Sequence, residues 1–159
     1  VEQVAQHVGY VTGPVNIEAR VDGGGRVVLI ELAPRNSGGF TTDIHHRLTG
    51  LDFRACVLAL ACGRDPKAVF RDSAPLTRGI GCDMVVFSRR PGNLVAVDFK
   101  PPVQPFVHRW QPLVQPGQRI QPLAQSNHII GELLLVFPSL EIQQQIRHTV
   151  SEWLHVQIA

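Results

Sequence analysis

Between Val15 and Val21 the chain alternates: Val15, Ile17, Ala19 and Val21 are apolar, while Asn16, Glu18 and Arg20 are polar. A period of two is that of a strand with one face covered. Asp22-Gly23-Gly24-Gly25 follows, a tract that readily supplies the positive φ angles of a hairpin. Arg26–Leu32, RVVLIEL, then reads as a return strand of more continuous apolar character. With the four residues Asp22–Gly25 as the loop, Val21 faces Arg26, Glu18 faces Leu29 and Asn16 faces Glu31. Side chains alternate across a strand, so Asn16, Glu18 and Glu31 then share one face. A change of one residue in the loop would send the glutamates to opposite faces.

The remaining periodicity predicts helices on either side of this hairpin and strands after it. Val1, Val4, Ala5 and Val8 make a helical stripe over Val1–Val11, with Gly9 as a stop and Thr12-Gly13-Pro14 as the turn into the first strand. Phe40–Leu48 reads as a helix ending at Gly50. Asp52–Cys62 is a buried helix with Asp52 as N-cap and Gly63 past its end, and Asp65-Pro66 opens a short helix through Phe70. From Cys82 onward the pattern turns to β: Met84–Ser88, Leu94–Phe99, Phe106–Val114, Gln118–Leu123 and Ile129–Phe137, separated by Pro- and Gly-containing turns. A last helix, Leu140 to about Val156, has Ser139 as N-cap and Ile142, Ile146, Val150, Trp153 and Leu154 as its buried stripe. The expected organisation is α+β. Residues 1–78 form a lobe with an antiparallel sheet flanked by helices, and residues 79–159 a β-rich lobe closed by a helix.

Composition narrows the classes. A hydrophobic share of 44% with 18% charged residues fits a folded soluble protein. A net charge of +2, with no run of lysine or arginine, gives no footprint for nucleic acid. The three cysteines, Cys56, Cys62 and Cys82, show no CxxC spacing and fit reduced thiols of a cytoplasmic protein better than a disulfide framework. No apolar run approaches the roughly 20 residues of a membrane span, and no signal peptide is visible.

The chemistry concentrates at the hairpin. Two carboxylates on one face repel unless a cation lies between them. Hard oxygen donors in that number suit Mg²⁺, which takes one or two protein carboxylates and completes its shell with water and phosphate. The loop after the second strand, Ala33-Pro34-Arg35-Asn36-Ser37-Gly38-Gly39, adds a guanidinium whose planar fork fits phosphate or carboxylate. Glycines in front of a helix let the backbone approach an anion, and Asn36, Ser37, Gly38 and Gly39 are the candidate phosphate contacts. The bland alternatives are an exposed hairpin with solvated glutamates and an ordinary loop N-capped by Ser37 or Thr41. His45 and His46, adjacent on a helix, diverge, so at most one points into a site.

Asn16-Ile17-Glu18, a Gly-rich turn and Ile30-Glu31-Leu32-Ala33-Pro34-Arg35-Asn36-Ser37-Gly38-Gly39 resemble the C-terminal half of an ATP-grasp domain. The similarity is closest to the L-amino acid ligase-like and carbamoyl-phosphate synthetase-like members. It is strong over Thr12–Cys62 and looser after Cys82, where a PG turn, a Gly-containing apolar strand and a closing helix continue it. The resemblance implies Glu18 and Glu31 as ligands of the Mg²⁺ (or Mn²⁺) that accompanies ATP, and Arg35 as the catalytic contact to phosphate. It implies an ATP-dependent carboxylate–amine or carboxylate–thiol ligase acting through an acyl phosphate on small-molecule substrates. One departure is Ala33, where many members carry an Asn that is a further metal ligand.

The family clamps ATP between two lobes, and its phosphate-holding lysines and flexible Gly-rich loop lie in an earlier lobe. The stretch ahead of the hairpin carries no lysine and no such loop, and the lysines of these 159 residues are Lys67 and Lys100. The expectation is a catalytically inert piece with an exposed apolar surface where the other lobe packs, and hence a partner lobe or self-association. The rival class is a non-catalytic β-rich binding or assembly module whose glutamates hold nothing.

Overall fold

A computed structural model of the chain describes residues 2–71 and 73–159. Val1, assigned above to the first helical stripe, lies outside the described residues. The chain divides into two compact units, the first ending at Leu76 and the second spanning Thr77–Ala159.

The first unit runs α1 (Glu2–His7), β1 (Asn16–Val21), β2 (Val27–Ala33), α2 (Thr41–Thr49), α3 (Phe53–Ala61) and α4 (Lys67–Arg71). α1 is shorter than its stripe suggests. Gly9 adopts φ 71°, which ends the helix, and no α1 residue is buried. β1 and β2 form a two-stranded antiparallel sheet. α2 closes on Gly50 in the left-handed region, and its N–H donates to the His46 carbonyl. A Cβ at Gly50 would lie 2.3 Å from the Ala74 carbonyl oxygen, so the chain leaving α4 passes too close for any other residue. Asp52 caps α3 as expected, accepting from the backbone N–H groups of Arg54 and Ala55. Among the described residues of this unit, Phe40, Thr42 and Cys56 are the buried ones.

The second unit contains β3 (Ile80–Val86), β4 (Gly92–Phe99), a 3₁₀ turn (Gln104–Phe106), β5 (Val107–Pro112), β6 (Arg119–Ile120), β7 (Gly131–Phe137), α5 (Leu140–His148), α6 (Val150–Trp153) and β8 (Leu154–Ile158). The strands make two antiparallel three-stranded sheets, ordered β3-β7-β5 and β6-β4-β8. β6 is shorter than its apolar pattern because Pro122 has no N–H for a ladder; Pro122 makes only an isolated bridge with Ser88. β7 is buried on both faces, which is why Leu133-Leu134-Leu135 does not alternate. Gly131 opens that strand where a Cβ would lie 2.3 Å from the Trp110 ring, so the glycine is the space the indole occupies.

The C-terminal helix ends earlier than its stripe suggests. It breaks at Thr149, and Leu154, Val156 and Ile158 return to a period of two as β8, paired with β4. The chain therefore closes on a strand. Trp153, 1% exposed, packs in the core with Val86, Leu94, Ile120 and Phe137, and its Nε1–H donates to the Ile146 carbonyl at 2.8 Å. The core described by these contacts lies wholly in the second unit.

Trp153→Ala removes this indole and its hydrogen bond. Deleting a large buried aromatic typically costs about 3–5 kcal/mol, and urea unfolding followed by circular dichroism should show a loss of that size.

Candidate active site

β1 and β2 pair Val21 with Val27, Arg20 with Val28 and Ala19 with Leu29; beyond a bulge at Ile30, Glu18 pairs with Glu31, Ile17 with Leu32 and Asn16 with Ala33. This corrects the expected register of Val21 with Arg26, Glu18 with Leu29 and Asn16 with Glu31. The loop holds the five residues Asp22–Arg26, one more than expected. Asp22 fixes it: its backbone N–H donates to the Arg26 carbonyl, its carboxylate accepts from the N–H groups of Gly24 and Arg26, and Arg26 Nε adds an ion pair at 3.0 Å. Those backbone hydrogen bonds hold the Asp22 carboxyl below its ordinary range.

Taken alone, the longer loop would set Glu18 against Ile30 and turn Glu31 to the other face. The bulge restores the alternation, because an extra residue on one strand shifts the faces by one. The two departures cancel, and Glu18 and Glu31 stand directly opposite on the face that also carries Asn16, Arg20, Val28 and Ala33. The reverse face is Ile17, Ala19, Val21, Val27, Leu29 and Leu32, of which Val21 and Val27 are more than two-thirds exposed.

Like charges directly opposite destabilise a strand pair. Arg35 offsets this only in part: its Nη2 is 3.9 Å from Glu31 Oε1, with both side chains more than half exposed. Its Nη1 donates to the Asn36 carbonyl. Asn16 is the next polar residue on the carboxylate face, but its Oδ1 accepts a hydrogen bond from Ser37 Oγ. Ala33, opposite Asn16, contributes no donor atom. Among the described residues no three His, Cys, Asp or Glu side chains converge as a metal cage.

The loop from Arg35 to Gly39 leads into α2, with Gly39 at φ 59°. Neither expected cap forms: Phe40 occupies the N-cap position without a side-chain hydrogen bond. The Asn36 amide donates to the Phe53 carbonyl at 3.5 Å, and Ser37 is held by Asn16, so both side chains brace the loop. α2 and α3 are tied by Arg54, whose Nη1 is 3.1 Å from Asp43 and whose Nε is 3.5 Å from Asp52. The adjacent histidines diverge: His46 Nδ1 lies 4.0 Å from Asp52, while His45 stands edge-on to Phe53, with ring centroids 5.4 Å apart.

His45 borders a cavity of about 420 Å³ within the first unit. Its walls come from the turn into β1 with Asn16, the loop after β2, α2, α3, and Pro66 and Phe70 before and within α4. Sequence reasoning placed Phe53, Cys56, Val57 and Leu60 in a buried helix and the rest in turns, strand, loop and neighbouring helices, and missed the cavity. The available signal was that Thr41, Thr42 and His45 occupy the α2 face that turns toward α3, where a packed helix pair would carry apolar residues.

No protein-family model matches the sequence, and no curated protein matches it. Solved structures do. The chain superposes on the L-amino acid ligase from Bacillus licheniformis with a TM-score of 0.80 and 22% identity, covering 98% of this chain and 40% of that one. Against phosphoribosylglycinamide synthetase from Anaerococcus prevotii the TM-score is 0.78 at 13% identity, over 99% of this chain and 40% of that one. The biotin carboxylase domain of Hydrogenobacter thermophilus 2-oxoglutarate carboxylase, solved with MgADP and bicarbonate, gives 0.64 at 17% identity, over 98% and 34%. These neighbours are ATP-grasp ligases, and the α+β fold of this chain is that of a part of them. The chain spans about 40% of the length of the first two structures.

Removing one charge of the cross-strand pair should stabilise the metal-free chain. Glu18→Gln, which keeps the Arg35–Glu31 contact, is expected to raise the urea midpoint in chelator, and the gain should shrink when Mg²⁺ is added to both proteins. At α3, partial burial of Asp52 pushes its carboxyl up, but the N–H groups of Ala55 and Arg54 and the charges of Arg54 and His46 outweigh this, and it sits below 3.8. A depressed carboxyl contributes stability above its unfolded pKa and loses it as pH falls through the folded value. Asp52→Ala should therefore cost about 1 kcal/mol at pH 7. That cost should fade below about pH 4, close to the unfolded value. Asp52→Asn should keep the cap with little pH dependence.

Proposed function

We propose that the chain is part of an ATP-dependent carboxylate–amine or carboxylate–thiol ligase that works through an acyl phosphate. The observation that supports this most is the direct pairing of Glu18 and Glu31 on one face beside Arg35, within a fold shared with ATP-grasp ligases. A repelling carboxylate pair fits a divalent cation, and two carboxylates with open positions for phosphate and water fit Mg²⁺, or Mn²⁺ in its place. Glu18 and Glu31 would hold it; Ala33 supplies nothing, so this chain offers fewer ligands than members with Asn there. When bound with ATP, the ion neutralises phosphate charge during transfer.

Arg35 provides the matching protein charge. Its loose contact to Glu31 leaves the guanidinium able to turn its fork to a phosphate or carboxylate oxygen. Asn36, Ser37, Gly38 and Gly39 would line the phosphate side, with Asn36 and Ser37 fixing the loop and the two glycines allowing close approach. The chain's two lysines, Lys67 and Lys100, lie on neither strand of the hairpin nor in this loop. The rest of the phosphate cradle would come from the remainder of the enzyme, whose packing surface would be the apolar face bearing Ile17, Val21, Val27 and Leu29. On this reading the 159 residues do not turn over ATP by themselves. No helix of the described residues is long and apolar enough to cross a membrane.

The experiment has two arms. In the chain itself, Mn²⁺ should broaden the NMR signals of Glu18 and Glu31, and the effect should disappear in Glu31→Gln but survive deletion of Ile30, which removes the bulge and leaves Glu31 opposite Glu18. In the complete enzyme, Glu31→Gln and Arg35→Ala should each lower kcat by about a hundred- to a thousand-fold while ATP affinity largely survives. Ala33→Asn should reduce the Mg²⁺ concentration needed for half-maximal kcat. Full activity of Glu31→Gln together with an unchanged Mg²⁺ dependence in Ala33→Asn would favour the non-catalytic module and end the ligase assignment.

A further inference from the structure

The cavity of the first unit has a lining with one chemical property in common. None of its residues is Asp, Glu, Lys or Arg. Thr42 and Cys56 are its buried lining residues, and burial pushes the Cys56 thiol up, so that it stays neutral. Val15, Phe53, Val57 and Leu60 supply apolar wall. Thr12, Thr41 and His45 add groups that can donate or accept hydrogen bonds. His45 and Phe70, also in the lining, are exposed.

A space of about 420 Å³ is far larger than the voids that ordinary packing leaves between helices and a sheet. It falls within the range of small-molecule sites, which combine mostly apolar walls with a few converging polar groups. Burying an unpaired charge among such walls is costly, whereas a neutral group that reaches one of the hydroxyls is not penalised. The lining shares Asn16, Asn36 and Ser37 with the hairpin and the loop that follows it. Asn16 lies on the Glu18 face, and the carbonyl of Asn36 accepts from Arg35.

We propose that this cavity receives the uncharged end of the carboxylate substrate: an apolar, ring-sized or branched group bearing at most a hydroxyl or amide. The substrate's own carboxylate would remain outside, at Arg35. The inference rests on the ligase reading for the identity of the occupant, but the pocket's preference for neutral groups follows from its lining alone. Two consequences separate the parts. A neutral probe should bind irrespective of Arg35, and a probe carrying a carboxylate on a short linker should depend on it.

The test uses the chain as it stands, with phenol, 3-phenylpropionate and adenosine titrated by NMR. Phenol and 3-phenylpropionate are expected to shift the signals of Thr42, Val57 and Leu60 at millimolar concentration. Val57→Phe should weaken both by about tenfold, equivalent to about 1.4 kcal/mol. Should Val57→Phe lose its native circular dichroism, Leu60→Phe provides the same obstruction. Arg35→Ala should weaken 3-phenylpropionate several-fold and leave phenol unchanged. Absence of phenol shifts at these residues overturns the proposal. So does stronger binding of adenosine there, which would assign the cavity to a nucleotide base. Phenol binding with 3-phenylpropionate indifferent to Arg35 overturns the link to the substrate carboxylate. The Mn²⁺ experiment on Glu18 and Glu31 stands apart from all three results, so the ligase reading and the cavity can fail separately.

Discussion

The arrangement of the hairpin depends on a cancellation. A five-residue loop held by the Asp22 carboxylate moves the register one way, and the single extra residue at Ile30 moves it back. Either alone would put Glu18 and Glu31 on opposite faces of the sheet. Together they produce a like-charge pair that a strand pair would otherwise avoid. Bulges bend and twist a strand locally and are found beside functional sites, where they re-aim side chains. Here the re-aimed residue is Glu31, and Arg35 follows on the same chain segment, one helical-turn's distance in sequence beyond it.

How much of this was legible in the residues depends on where a periodic pattern existed. β1 alternates and was readable to within a residue. β2 does not: Val27-Val28-Leu29-Ile30 is apolar throughout, so the pattern holds no mark of which residue is extra. The shared face was correctly expected from an incorrect register, because the longer loop and the bulge each changed it by one. Asp52 and Ser139 were readable as caps because a cap is a local device, a side-chain oxygen meeting an N–H two or three residues on. The end of the chain was misread as helix because Trp153 and Leu154 fit a helical stripe as well as the start of a strand; pairing with β4, a contact distant in sequence, decides between them. The cavity was illegible for the same reason, since it is defined by five segments that only the fold brings together.

The two units are stabilised by different means. The second has a contiguous apolar core around β7 and Trp153. The first has few buried side chains, a two-stranded sheet of the kind that is marginal by itself, and polar ties: Asn16 to Ser37, Asn36 to Phe53, and Arg54 to Asp43. Segments with few buried apolar contacts open at lower free energy than cores. The candidate site therefore belongs to the softer unit, and the hydrogen bonds that brace its loop also form the wall of its cavity.

The Val27–Ile30 run has a consequence for the life of the chain before it is folded. Four consecutive β-favouring apolar residues, exposed in this structure on a sheet with two open edges, are the kind of segment that stacks on copies of itself. Arg26 and Glu31 flank it as charged gatekeepers. Glu31 thus guards the nascent polypeptide as well as facing Glu18, and a neutral replacement removes both properties at once. A fall in soluble yield on making Glu31→Gln would report the lost guard and not the chemistry, and Glu31→Asp, which keeps the charge while shortening the reach, tells the two apart.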